Sequence, residues 1–257
     1  MRSKFETKQA GGWSKSGSVV AAALIAFLII SSNACSSGSQ NAVNSDEAAA
    51  TTGDTPAPHA SAIPVNTATE SVPTSLADTG EYGENIYDYT KANDWNSANL
   101  KLGALRESAK DARTDVKNQS DATDSLDDHV AALGLAVAVK DRQTAMREAN
   151  RVTLDVANMT TAYKLSVPVE VIRLDYYGRE LEIWTDAKDT NNLHATAREM
   201  RREWGALRPS VEAHNAAEAR KFEALVAQVE SAKTPSDYAS AATLVLNEVE
   251  NLEELFH

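Results

Sequence analysis

Four short stretches of this chain resemble one another at near-constant spacing: ANDWNSA around Asp94, VKDRQTA around Asp141, AKDTNNL around Asp189 and PSDYASA around Asp237. The aspartates stand 47, 48 and 48 residues apart. Apolar columns keep step with them. Four positions after each Asp come Ala98, Ala145, Leu193 and Ala241; eight after, Leu102, Ala149, Ala197 and Val245; fifteen after, Ala109, Val156, Trp204 and Leu252. Eight before stand Ile86, Leu133, Leu181 and Val229. One column lapses, with Glu248 where the other copies carry Leu105, Val152 and Met200. A period of this length marks a helical supersecondary unit that buries its apolar face against its neighbours.

The aspartate marks the middle of that unit. At ~100° per residue, the stripes five before and four after an Asp lie half a turn out of phase. One unbroken helix would point them to opposite sides, whereas a break at the Asp turns both toward one core. Asp is also a preferred N-cap, since its carboxylate accepts the unpaired amides of the next helix. Asp94, Asp141, Asp189 and Asp237 are therefore read as helix caps rather than as a gathered metal site, and each repeat as helix, tight turn, helix. The predicted helices are 82–91, 94–118, 122–139, 141–163, 168–187, 189–207, 209–233 and 236–256, with Pro168, Pro209 and Pro235 at boundaries. The stripe Trp95, Ala98, Leu102, Leu105, Ala109, Ala112, Val116 carries the 3.6-residue period. The fold class is all-α: an antiparallel helical bundle of αα-hairpin repeats of about 48 residues, with a short α-solenoid as the alternative. The turn-and-cap pattern looks distantly like tetratricopeptide repeats, but the period exceeds their 34 residues.

The chain ahead of the repeats is of another kind. Basic residues Arg2, Lys4, Lys8 and Lys15 face one acid, Glu6, before a 12-residue apolar run from Val19 to Ile30. A membrane-spanning helix needs about 20 apolar residues, so this run has the shape of a secretory signal. It ends at Ser32, Asn33, Ala34 and Cys35, the single cysteine of the chain. Here the sequence resembles a bacterial lipoprotein signal, with Ala34 in the small position before the cysteine. Ser32 departs from the branched aliphatic residue usual three before it, and Asn33 is also unusual. The resemblance covers about the first 35 residues and implies cleavage of residues 1–34 and lipidation of Cys35. The alternative is an uncleaved N-terminal anchor.

Residues 35–80 are rich in Ser, Ala, Thr, Asn, Gly and Pro and contain no Lys or Arg. Such a segment buries too little apolar surface to offset its ordering entropy. It reads as a disordered stalk, spanning roughly 35–40 Å r.m.s. as a flexible coil, ahead of a helical domain at 81–257. The part after Cys35 carries a net −15, within a chain total of −12. That charge repels phosphate, so nucleic acid is not an expected partner.

None of His59, His129, His194, His214 and His257 forms His-x-x-x-His, and no phosphate-loop, dinucleotide or nucleophile-elbow pattern occurs. No cofactor and no metal are expected. The densest polar patch is Arg173 to Trp184, where Leu174, Tyr177, Leu181 and Trp184 belong to the core stripe. Asp175, Gly178 and Glu182 share another face, and Asp175, Tyr176 and Glu182 are the candidate ligand-binding residues. The expected function is that of a membrane-tethered extracytoplasmic lipoprotein, in the periplasm or at the cell surface. Its non-catalytic helical domain would bind an envelope protein or cell-surface component. The alternative is a periplasmic ligand- or metal-binding bundle, for which a closed polar cavity reached by Glu182 or His194 is the expected sign.

Overall fold

The structure, a computed structural model, describes residues 71–116 and 119–257. The signal segment, Cys35 and most of the stalk lie outside the described residues. Eight helices follow one another: α1 (Thr74–Lys91), α2 (Trp95–Asp115), α3 (Ser120–Val139), α4 (Arg142–Thr160), α5 (Val169–Ala187), α6 (Thr190–His214), α7 (Ala216–Ser231) and α8 (Pro235–Glu254). The described residues contain no strand. Packing closes two rings. In the first, α1 meets α2, α2 meets α3, α3 meets α4, and α4 returns to α1. In the second, α5, α6, α7 and α8 close in the same order, and α4 packs on α5 to join the two. Stacked solenoid hairpins would leave α1 and α4 apart, so the architecture is the bundle and not the solenoid. Each bundle takes two of the sequence repeats.

The repeat columns form the two cores. Ile86, Ala98, Leu102, Leu105, Leu133, Ala145, Ala149 and Val152 lie buried in the first, with Ile183 reaching in from α5. Leu181, Leu193, Met200, Trp204, Val229, Ala241, Val245 and Leu252 lie in the second. Small residues set the helix spacing. A Cβ on Gly83 of α1 would sit 3.1 Å from Val152 on α4, and one on Gly178 of α5 only 2.6 Å from Leu246 on α8.

Three of the four aspartate turns share one geometry. Asn93, Lys140 and Lys188 adopt left-handed φ values of 59°, 58° and 55°. Each following Asp donates its amide five residues back, to Tyr89, Ala136 and Trp184 respectively, while the left-handed residue bonds three back. This is the Schellman closure of one helix, and its last residue is the N-cap of the next. Asp94 accepts from the Ser97 amide, Asp141 from Thr144, and Asp189 from Asn191 and Asn192. Asp237 corrects the sequence reading: the N-cap of α8 is Thr234. Asp237 stands three residues on, its carboxylate accepting from the Thr234 amide in a capping box.

Two boundaries also differ from expectation. α1 begins at Thr74, inside the segment assigned to the stalk, because Leu76 and Thr79 are fully buried. α6 runs straight through Pro209 to His214. Proline removes the bond to the carbonyl four residues back, here Gly205, and both residues are exposed, so the carbonyl faces water. The real break is Asn215, whose Oδ1 accepts from the Ala217 and Glu218 amides.

Antiparallel alternation gathers the α1–α2, α3–α4, α5–α6 and α7–α8 turns at one end of the helical unit. Cross-helix pairs give the directions: Ser75 with Asp115, Arg142 with Asp186, and Thr185 with Pro235. Ser71, where the described chain starts, lies at the opposite end.

Candidate functional site

α5 contributes to both cores and has three faces. Leu174 and Leu181 enter the second core, with Tyr177 and Trp184 half-buried against it. A second face looks toward α4, and a third toward α1 and α8.

On the α4 side, Asn150 donates through Nδ2 to the Tyr176 carbonyl at 3.1 Å. The Trp184 indole donates to the Glu180 carboxylate. Burial pushes Glu180 up, against bonds from Trp184 and Tyr176 that pull it down. Burial also pushes the Tyr176 phenol well up, with Glu180 adding to it. Its ring lies edge-on to Tyr177, centroids 5.1 Å apart. Tyr176 is thus a packing residue of the α4–α5 contact and does not join Asp175 and Glu182 in one pocket, which divides the candidate trio.

The third face holds the densest charge cluster. α1 and α5 run parallel here, and residues 95 apart in sequence face each other. The Tyr87 hydroxyl donates to Glu182 at 2.8 Å, and Arg179 reaches Glu84 at 3.6 Å and Asp175 at 3.0 Å. Lys91 donates to Glu182 at 2.6 Å. The Arg179 guanidinium lies over the Tyr87 ring, 5.3 Å from its centroid, an attraction worth roughly 0.5–2 kcal/mol. Its Nη1 is buried without a hydrogen-bond partner.

Five carboxyls, Glu84, Asp88, Asp175, Glu182 and Glu253, surround Arg179 and Lys91. Burial pushes Glu84 up to about 7, with Asp175, Glu253 and Asp88 reinforcing it and Arg179 opposing. Glu253 rises to about 7 through burial and Asp175. Asp175 rises for the same first reason. Burial alone would lower Arg179, but Asp175, Glu84 and Asp88 outweigh it and keep the guanidinium charged. The cluster can therefore hold protons near neutral pH.

Toward the turn end the seam opens into a cleft of about 160 Å³ lined by Lys91, Arg142, Met146, Glu182, Thr185, Asp186, Ala239 and Thr243. Its charges are paired: Arg142 to Asp186 at 2.6 Å, Lys91 to Glu182. That volume holds about five waters at ~30 Å³ each, less than the ~300 Å³ at which ordinary ligand pockets begin. Glu182 lines it. His194 is elsewhere, beside Tyr238 on α8. Among the described residues, no three His, Cys, Asp or Glu side chains are placed to hold a metal ion.

Elsewhere His129 meets Asp155 at 2.6 Å, with Ser125 on the other oxygen. Here the carboxylate is central and orients no base toward the hydroxyl, so the trio lacks the geometry of a nucleophile relay. Leu100, Leu135 and Val139 are exposed on α2 and α3 near the turn end. The sequence flagged the α5 half of the charge cluster but not Glu84, Asp88 or Glu253, since only the fold brings those helices together. No protein-family model, curated protein or solved structure matches the chain.

Proposed function

We propose that the chain is a membrane-tethered extracytoplasmic lipoprotein whose helical domain binds an envelope protein or cell-surface component without catalysis. One observation carries the reading: the turns at 92–94, 139–141, 187–189 and 232–237 lie at the end of the helical unit away from Ser71. A domain held through residues 35–70 would present that end outward. Exposed Leu100, Leu135 and Val139 there supply apolar surface of the kind that marks interaction sites. No described helix is long and apolar enough to cross a membrane.

Two measurements test it. Mass spectrometry of the native N-terminal peptide should show Cys35 as the first residue, carrying acyl chains, and Cys35→Ser should release the protein from the membrane fraction. Photo-crosslinkers at Leu135 and Leu100 should capture a defined partner that one at Asp115 does not. An unmodified Cys35 behind a retained residue 34 refutes the lipid anchor, and equal capture from both ends refutes the outward-facing binding end.

A second reading, a small-ligand bundle, rests on the cleft beside Glu182. Its size and paired charges restrict any occupant to a few waters or a small ion.

A further inference from the structure

α3 is apolar on two sides. Val130 to Val139 runs ten residues without a polar side chain. Val130, Leu133, Ala136 and Val137 spend one side in the first core, while Ala131, Leu135, Ala138 and Val139 are exposed. A surface helix ordinarily carries polar residues there. Its neighbour α2 does the same near the turn end: Leu100, Gly103 and Ala104, at helical spacing, are exposed across the helix from buried Leu102 and Leu105. Both helices lie on the side of the first ring away from α5.

The two exposed faces share a register. Arg106 of α2 fills the space that a Cβ on Gly134 of α3 would take, and Arg113 pairs with Asp124 and Asp127 at 2.6 and 2.7 Å. The antiparallel helices thus set Leu100 level with Val139, Gly103 with Leu135, and Lys110 with Asp128. Leu135 is a knob, 73% exposed. Gly103 is a gap, where an added Cβ would meet nothing within 4 Å. Lys110 and Asp128 are both exposed, and among the described residues neither has an ion-pair partner.

We propose that this α2–α3 face binds the same face of a second copy of the chain, about a two-fold axis parallel to the helices. The inference rests on the reading of the turn end as a binding surface and names its occupant. Such an axis keeps every residue at its level and lays α2 antiparallel on α3 of the other copy. Leu135 then enters the Gly103 gap, Leu100 meets Val139 and Lys110 meets Asp128, each contact being made twice. Shape and charge are therefore complementary in one register. The same axis leaves both Ser71 ends on one side, as two chains tethered to one membrane require. The helices are 21 and 20 residues long, or about 30 Å, so side by side they offer roughly 600–700 Å² of face. That approaches the ~800 Å² each partner contributes to a standard stable interface.

The test uses the full chain with Cys35→Ser in sedimentation velocity across the micromolar range. A dimer should appear as concentration rises, and Leu135→Asp should weaken it roughly thirtyfold, as loss of a central interface residue does. Lys110→Glu should weaken it as well, and adding Asp128→Lys should restore it. Unchanged helical circular dichroism separates lost association from lost folding. On oxidation, a copy carrying Gly103→Cys and one carrying Leu135→Cys should join by an intermolecular disulfide, whereas Arg220→Cys on α7 with Leu135→Cys should not. A monomer at every concentration, or a dimer unmoved by Leu135→Asp, overturns the proposal. A monomer whose Leu135 crosslinker captures a different envelope protein strikes the dimer alone and leaves the binding end standing.

Discussion

Replacing Glu248 with leucine should stabilise the second bundle. Glu248 fills the column occupied by Leu105, Val152 and Met200 in the other repeats, and like them it is buried, at 3% exposure. Its Oε2 accepts from Lys221 at 2.5 Å and Asn251 at 2.9 Å. Its Oε1 and the facing Glu218 Oε2 have no donor while both carboxyls are ionised, and the hydrogen bond that a protonated Glu218 makes to Glu248, with burial and the Glu248 charge, pushes Glu218 up. Lys221 is half exposed, so solvent screens its pair with Glu248 and the pair adds little. The Asn251 bond adds ~1 kcal/mol. Against these stand ~1–3 kcal/mol for an unsatisfied buried oxygen and ~1.5–3 kcal/mol gained by a buried leucine. Glu218, a quarter exposed, reaches water once its neighbour is gone. The balance is about 2 kcal/mol in favour of Glu248→Leu, or a rise of roughly 4–8 °C for a domain of this size. Thermal and urea unfolding followed by circular dichroism at pH 7 would measure it, with Glu248→Gln falling between the two. A lower midpoint for Glu248→Leu would refute the reasoning and show that the Glu218–Lys221–Glu248 group outweighs an apolar side chain there.

Further outcomes follow from the turns and from the close helix contacts. Lys140 and Lys188 sit in left-handed backbone, which is unfavourable for a residue with a Cβ by ~1–2 kcal/mol. Lys140→Gly and Lys188→Gly should therefore each raise stability by ~0.5–1 kcal/mol in urea titrations, and a loss in either would refute the strain argument. Gly178→Ala should lower stability by about 1 kcal/mol, because overpacking against Leu246 exceeds the helix-propensity gain. Adding Leu246→Ala should abolish that specific penalty, and a strictly additive double-mutant cycle would place its origin elsewhere.

The periodic parts of this fold are legible in the sequence because one helix decides them. The columns around Asp94, Asp141 and Asp189 predict both the buried faces and the caps, since apolar spacing and capping are local rules. The start of α1 is not legible in this way. Thr74 to Gly80 has the composition of the stalk, and only the pocket for Leu76 and the close seat of Gly80 against Val156 make it helical. Pro209 misleads for a related reason, since its cost depends on whether the orphaned carbonyl meets water. Asn215, an ordinary-looking residue, ends the helix instead. Of the candidate residues, Asp175 and Glu182 do meet on one face, and Tyr176 turns away because the helix puts it toward α4. Arg179 gains its importance from Glu84, 95 residues earlier, a separation equal to that of Asp94 and Asp189. That pairing requires the two bundles to lie with α1 and α5 side by side, which no local pattern specifies.

Ring closure within each bundle has a kinetic consequence. Each core is completed by helices that are consecutive in the chain, and the longest-range contacts that close a ring, α1 with α4 and α5 with α8, span fewer than four helices' worth of sequence. Low contact order of this kind favours rapid folding, and domains fold from the N-terminal side as a chain emerges. The first ring has all its pieces once Thr160 is available. It can collapse before α5 exists, so the joint between the bundles, where α4 meets α5 and Ile183 enters the first core, is completed between two largely formed surfaces rather than within a collapsing one.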